Sequence, residues 1–385
     1  MRIAVITETF EPDINGVARS LRMTLAGLLK MGWQIDLHCL QGSGTTFAAE
    51  FPGVRLYPHR GLAMPFYPQV RIGLTRPGYW RGLWRTTHVD LVYVITEGPL
   101  GLTAIRAAKQ LNLPVISAFH TNFHAYSRYY RMGFIQQLLV KYLRYLHGHA
   151  DITLVPSVQQ QNLLRAQGFN HLQVLHHGVD TQCFALQLRD RQLRAQWGVH
   201  HSEPVMLYVG RVASEKNIEL VLQTYQQARR TVSGLRCVVV GDGPQRMTLQ
   251  AQYPEVIFTG ALQGELLSRH FASADMFVFA SETETFGLVT LEAMASGLPV
   301  YSYALAAAGL FVDAQNGQLI TPGDAQEFSE NFAAFARRRD LKELGENARQ
   351  VAQGQSWQAQ ILRLAALCSQ VVHVRQLPAA ALVTD

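Results

Sequence analysis

Metal-binding acid pairs, paired cysteines, long apolar runs and low-complexity tracts are all missing from this 385-residue sequence. No Asp-x-Asp and no His-Glu-x-x-His occurs. His120 and His124 have i, i+4 spacing but no acidic third ligand nearby, so no metal site is expected. The four cysteines, Cys39, Cys183, Cys237 and Cys368, are scattered without a Cys-x-x-Cys, which excludes a disulfide framework and a zinc ribbon and fits a reducing compartment. No uninterrupted apolar stretch approaches the roughly 18 residues that span a bilayer. The start, "MRIAVITETF", has no signal-peptide core and reads as a first strand. The expectation is a cytoplasmic chain whose membrane contact, if any, is peripheral. "QGSGTT" at Gly42 and Gly44 lacks the third glycine of a dinucleotide fingerprint, which argues against an NAD oxidoreductase.

What is present is the material of a folded chain. Hydrophobic residues make up 48% and charged residues only 16%. That balance is the reverse of a disordered composition. The length allows two to three domains. A net charge of +6 favours anionic partners such as nucleotides, phosphates or an acidic membrane surface. Short apolar runs alternate with amphipathic segments. "RIAVIT", "QIDLHCL", "VRLYP", "DLVYVIT", "PVISAF" and "ITLVP" read as strands of the first half; "PVMLYVG", "RCVVVG", "VIFTG", "DMFVFA" and "PVYSY" read as strands of the second. Between them lie helices such as "GVARSLRMTLAGLLKMG", with Val17, Leu21, Leu25, Leu28 and Leu29 along one face. The alternation predicts parallel sheets covered by helices. Eleven strands and a polar break near residue 185 predict two Rossmann-like domains, 1–185 and 186–360. Residues 361–385 are left as a C-terminal helical tail, in a helical pattern that starts at Trp357. Two such domains facing each other would enclose a cleft lined by strand ends.

The loops after these strands hold the informative residues. Asn15-Gly16 turns directly into a helix whose first amides suit a phosphate, although an ordinary strand–helix turn looks the same. "GRVASEKN" puts Arg211 and Lys216 in one short loop. Two cations there suit a diphosphate, or are solvated surface charge. "GDGPQ" offers Gly241 and Gly243, where a backbone can approach closely. "SETETFGLVTLEAMASGLPV" carries Glu284 and Glu292, eight residues apart. On one continuous helix they would diverge by about 80°. Gly287 and the helix formers after it instead put Glu284 in a loop and Glu292 one to two turns inside a helix that stops at Gly297 and Pro299. The two acids therefore bracket a strand–loop–helix junction, where ligands of parallel sheets bind.

The ordered set of Asn-Gly-Val after the first strand, "GR-x4-K", "GDGP" and "ETFGLVTLE" resembles glycosyltransferase family 4, with its two-domain GT-B fold, over about residues 1–360. "VITEGPLG" and "FHTNFHAYSRYY" look most like the branch that acts on lipids: phosphatidylinositol mannosyltransferases, diacylglycerol glycosyltransferases and sulfoquinovosyl transferases. The resemblance implies retaining transfer of a hexosyl group from a UDP- or GDP-linked sugar, a co-substrate rather than a cofactor. It implies that Arg211 and Lys216 neutralise the leaving diphosphate, Gly16 touches it, and Glu292 binds the ribose. Glu284 and His120 would lie near the transferred sugar, and the Phe286–Gly287–Leu288 amides would meet sugar hydroxyl or phosphate. With side-chain cations in that role, no metal is required. A front-face mechanism and a double displacement through Glu284 both remain open.

The acceptor side is read from two segments. Between Phe51 and Val89 stand six arginines, two tryptophans and no acid. Arg71, Arg76, Arg81 and Arg85 with Trp80 and Trp84 fit an interfacial surface on an anionic leaflet, the cytoplasmic face of the inner membrane. The helix carrying Ile135, Leu138, Leu139, Tyr142, Leu143 and Leu146 is expected to pack on a sheet. No nucleic-acid module is visible. His176-His177 and His200-His201 read as loop and surface residues. The competing expectations are a transferase with a soluble acceptor, or a non-enzymatic nucleotide- or polyanion-binding protein.

Overall fold

The computed structural model describes residues 1–13, 15–64, 67–120, 133–199 and 203–376. The chain forms two compact units: Met1–His177 together with the chain from Trp357 onward, and Gly178–Ser356.

The first unit is built on β1 (Arg2–Ile6), β2 (Gln34–Leu40), β3 (Val54–His59), β4 (Gly61–Met64), β5 (Tyr67–Gly73), β6 (Leu91–Val94), β7 (Val115–Ala118), β8 (Ile152–Val155) and β9 (Leu172–Val174). Seven of these form one sheet in the order β3-β2-β1-β6-β7-β8-β9, parallel throughout, and β4 and β5 pair as a separate antiparallel hairpin. Ile3, Ala4, Val5 and Ile6 are all fully buried, as strands covered on both faces require. One face is covered by the helix Gly16–Lys30, started by Asn15, whose side chain accepts from the Ala18 amide at 2.9 Å. This is an ordinary N-cap. Its Leu21, Leu25 and Leu28 share a core with Ile3, Val5 and Leu37. The other face carries the helices Pro77–Thr87 and Pro99–Gln110.

The second unit contains β10 (Val205–Val209), β11 (Arg236–Val240), β12 (Ile257–Gly260), β13 (Met276–Phe279), β14 (Val300–Tyr303) and β15 (Gly317–Ile320), in the order β12-β11-β10-β13-β14-β15. All five pairings are parallel. In each sheet the chain winds first to one side of its opening strand and then to the other. The reversal falls between β1 and β6 in the first unit and between β10 and β13 in the second. Loops leaving such a switch point spread apart and leave a crevice at the strand ends.

All eleven strands expected from the sequence form. Additional strands are β9, β15 and the β4–β5 hairpin. β9 has only three residues, and β15 opens with a glycine, so neither shows an apolar run. The domain limits differ from the sequence expectation of 1–185, 186–360 and a 361–385 tail. The helix Trp357–Gln376 is not a separate tail: Ile361, Leu364, Ala365 and Cys368 complete the same core as Leu21 and Leu25. It lies so close to the first helix that a Cβ on Gly27 would stand 2.2 Å from Ile361 Cδ1. Near its end, the Arg375 guanidinium donates to Asp151 Oδ1 and Asn112 Oδ1. Chain order alone does not say which sheet a terminal helix covers; the apolar face it must bury decides.

Trp80 and Trp84 are also corrected. They lie one turn apart on Pro77–Thr87 but face the sheet, with 0% and 3% of their surface exposed. The Trp80 ring packs on His38, His59 and Trp84 at 4.8, 5.3 and 5.2 Å, and its Nε1–H donates to Thr103 Oγ1 at 3.1 Å. An indole buried this way has no access to a lipid interface. Arg71, Arg76 and Arg85 are exposed and Arg81 is half-buried. On the helix Gly133–His147, Leu143 and Leu146 are buried, Leu139 and Tyr142 half-buried and Leu138 exposed; the Ile135 side chain lies outside the described residues.

Candidate functional site

In the second unit the chemistry gathers where β11, β10 and β13 end side by side. The loop after β10 holds Gly210–Asn217, and a turn at Ser214–Lys216 brings Lys216 back towards the loop after β13. Lys216 Nζ lies 2.5 Å from Glu284 Oε1, with the two side chains 22% and 16% exposed. Thr283 Oγ1 donates to the Glu215 carbonyl at 2.7 Å, a second tie between the same loops. Arg211 is 54% exposed and pairs with Glu215 Oε1 at 3.1 Å. The buried Tyr208 hydroxyl donates to the Arg211 carbonyl at 2.9 Å and fixes the loop from below. Gly241 has φ of +149°, and a Cβ there would stand 1.8 Å from the Gly210 carbonyl oxygen; one on Gly243 would stand 2.3 Å from that of Val212. Both glycines therefore let this loop lie against Gly210–Val212, an approach no side chain tolerates.

Gly287, at φ +81°, turns the chain into the helix Leu288–Ala295. Left-handed backbone suits glycine. Phe286 on one side is a core ring against Phe311, while the Phe286 carbonyl accepts from the Ala307 amide at 2.7 Å; Leu288 on the other is half-buried. Glu292 lies in the second turn of that helix, 4% exposed, the one acid among Thr290, Leu291, Ala293 and Met294. A carboxylate buried in a mostly apolar helix is uncommon. The two acids occupy a loop and a helix interior, as their spacing implied.

In the first unit, Gly16 opens its helix, exposed, next to the Asn15 cap. His120 follows β7, and its amide donates to Glu97 Oε1 at 3.2 Å. The His120 and His177 rings lie nearly parallel, 5.9 Å apart. Both line a cavity of about 40 Å³ with Ser20, Thr24, Tyr93 and Gln360. Burial lowers His120 below the ordinary imidazole value, while Glu97's charge pulls it partly back. His177 is pushed down to about 3, chiefly by burial and then by His120 and His176. His177 is a half-buried loop residue that also lines this cavity. Glu97 opens the loop after β6, the strand next to β1. Burial pushes its carboxyl up, but His147, His120 and the His120 amide together outweigh that and hold it below the ordinary value. His147 Nε2 is 3.8 Å from Glu97 Oε1, and His147 Nδ1 meets Ser117 Oγ at 2.9 Å. The longer of the two is beyond hydrogen-bond range. Glu8, after β1, accepts from the Gly73 and Leu100 amides at 3.0 and 3.3 Å and is raised by burial.

Sequence reasoning missed Glu8, Glu97, His147, Glu215 and His177. Glu97 stands in "VITEGPLG", directly after the apolar run of β6, and an acid just past a central strand is the signal that would have found it. "TNFHAYSRYYRM", with His124, and His200-His201 lie outside the described residues. Among the described residues no group of three His, Cys, Asp or Glu is placed to hold a metal ion.

Two Rossmann-like parallel-sheet units, each with its polar loops at the sheet's switch point, make this a glycosyltransferase of the GT-B class. The chain belongs to glycosyltransferase family 4: residues 14–182 match that family and residues 189–351 match glycosyl transferases group 1. It is 32% identical to a GDP-mannose-dependent alpha-mannosyltransferase of Mycolicibacterium smegmatis, over 78% of this chain and 79% of that one. Identity to the Arabidopsis thaliana sulfoquinovosyl transferase SQD2 is 31%, over 80% of this chain and 62% of SQD2's length. Identity to the alpha-monoglucosyldiacylglycerol synthase of Streptococcus pneumoniae is 30%, over 79% and 71% of the two chains. Among solved structures, sucrose-phosphate synthase of Thermosynechococcus elongatus superposes with a TM-score of 0.77 at 21% identity, covering 97% of this chain and 99% of that one. Anabaena Alr3699/HepE, in complex with UDP and glucose, gives 0.74 at 18%, covering 96% and 100%. At these identities the structures speak for the fold.

Proposed function

We propose that the protein is a retaining hexosyltransferase that moves a sugar from a UDP- or GDP-linked donor to a membrane-lipid acceptor. The observation that carries this reading is the convergence of Arg211, Lys216 and Glu284 on adjacent strand ends at the switch point, above the helix that buries Glu292. Breaking the bond between the anomeric carbon and the phosphate builds positive charge on the sugar and negative charge on the leaving diphosphate. Arg211, Lys216 and the amides after Gly287 stabilise the latter, as preorganised donors do in a water-poor site. Glu292 takes the ribose hydroxyls and Glu284 the sugar hydroxyls. The acceptor oxygen then bonds to the anomeric carbon on the face the phosphate leaves, and its proton passes to that phosphate. A carboxylate engaged by the sugar hydroxyls is a poor nucleophile, which favours this front-face route over a double displacement through Glu284. Lys216 and Arg211 make a metal unnecessary.

The lipid acceptor rests on relatives such as the alpha-monoglucosyldiacylglycerol synthase and on the arginine-rich segment. Arg60, Arg71, Arg76 and Arg85 are exposed beside exposed Leu62, Leu74 and Tyr79, with no acid between Phe51 and Val89. Each basic residue near an anionic leaflet contributes about 1 kcal/mol, enough in sum for loose, salt-sensitive docking on a cytoplasmic membrane face. No described helix is long and apolar enough to cross a membrane. The test is transfer of labelled sugar from UDP-glucose and GDP-mannose to liposomes holding diacylglycerol or phosphatidylinositol. Incorporation into lipid with retained anomeric configuration supports the reading; incorporation only into water-soluble acceptors refutes the lipid part.

A further inference from the structure

We propose that Glu284 is a built-in competitor for the diphosphate: its ion pair with Lys216 resists a bare nucleoside diphosphate and gives way to the complete nucleotide sugar. This rests on the nucleotide-sugar reading above and adds a means of telling the donor from the spent donor. The pair is 2.5 Å long, and each side chain is only about one-fifth exposed. Solvent therefore screens it less than a surface pair. Arg211 is likewise engaged by Glu215. Both cations assigned to the diphosphate are compensated before a ligand arrives, and the four charges cancel.

A bare diphosphate that takes Lys216 leaves the Glu284 carboxylate beside a new anion and in need of a donor to replace the ammonium. Tyr208 cannot supply one, since its hydroxyl is committed to the Arg211 carbonyl. A nucleotide sugar brings its own replacement. Sugar hydroxyls donate to an ionised carboxylate, and such charge-assisted bonds are among the stronger ones. The exchange is therefore balanced only when sugar and diphosphate arrive together. Once the sugar has left, Glu284 returns to Lys216 and helps expel the product.

The experiment is calorimetric titration of the full chain with UDP, GDP, UDP-glucose and GDP-mannose. It compares the wild type with Glu284→Gln, Glu284→Asp and the double variant Glu284→Gln/Lys216→Gln. Glu284→Gln is expected to bind the diphosphate about tenfold tighter, or about 1.4 kcal/mol, and to lose the preference for nucleotide sugar over diphosphate. Glu284→Asp, which keeps the charge but draws it back from Lys216, should fall between wild type and Glu284→Gln and serves if the latter does not fold. In the double variant the gain should vanish, because it acts through Lys216. Diphosphate binding that is unchanged or weaker in both single variants overturns the inference and leaves the nucleotide-sugar reading standing. No binding of any of the four ligands to the wild type overturns both.

Discussion

Replacing Trp80 by alanine separates two accounts of the arginine-rich segment between Phe51 and Val89. In the structure the indole is fully buried against His38, His59 and Trp84 and donates to Thr103. Truncating a buried tryptophan costs about 3–5 kcal/mol, from lost apolar burial plus the cavity left behind. A fourth aromatic neighbour, Tyr79, has its ring centroid 5.3 Å away. Edge and tilted ring contacts of this kind add to plain burial and place the expected loss in the upper part of that range. For a unit of this size each kcal/mol lowers the midpoint by about 2–4 °C, so the first unit should melt roughly 8–20 °C earlier. Scanning calorimetry reads that shift directly, and cosedimentation with anionic liposomes should be unaffected in protein kept below the new midpoint. Arg76→Ser with Arg85→Ser should do the reverse: weaker liposome binding and a stability change within about 0.5 kcal/mol. A Trp80→Ala protein that keeps its midpoint and loses liposome binding would refute the reasoning and restore the indole to the interface.

Acid should weaken the first unit before the second. His38, His59, His120 and His177 all titrate below the ordinary value of 6.5, chiefly through burial, His59 at about 4 and His177 at about 3. Such groups gain their proton on unfolding, so stability is full above about pH 6.5 and falls as pH drops towards the folded values, by up to about 1.4 kcal/mol per pH unit for each histidine. Calorimetry from neutral to mildly acidic pH should show the first unit's midpoint falling faster than that of the second, where His270 alone among the described histidines is lowered; parallel falls would contradict this. Glu97→Gln should lower the His120 pKa further, because the carboxylate now opposes the effect of burial; histidine NMR checks it, and an unchanged or raised value counts against the contact. Lys216→Ala should reduce turnover about 100- to 1,000-fold, the usual loss for one preorganised donor, while the wild type stays active in excess EDTA. Full dependence on added magnesium would reverse those roles.

Much of the fold was legible because buried parallel strands are short, apolar and spaced by helices. β1 and β10 to β14 could hardly be read otherwise. The donor-side loops were legible for a related reason: residues at the ends of adjacent strands are distant in sequence but each sits just after an apolar run, so Arg211, Gly241 and Glu284 announce themselves by position. What the pattern does not carry is direction and pairing. Trp80 and Trp84 have the same one-turn spacing whether they face lipid or a sheet, and only the histidines waiting on β2 and β3 decide it. The Lys216–Glu284 pair spans 68 residues, and nothing in either loop names the other as its partner. His177 was read as a loop and surface residue; it is a half-buried loop residue, and the helix beginning at Trp357, far along the chain, walls the cavity it lines.

That closing helix also orders events during synthesis. The first unit lacks Ile361, Leu364 and Cys368 until the helix Trp357–Gln376 is made, so the stretch Met1–His177 leaves the ribosome with a groove of bare leucine side chains where the helix will lie. Gly178–Ser356, an unbroken stretch, is free to fold first although it is translated second. Chains stopped near Ser356 should therefore contain a finished second unit attached to a first unit that binds hydrophobic dyes and attracts chaperones. Supplying the missing segment as a separate peptide gives the newborn first unit its final layer.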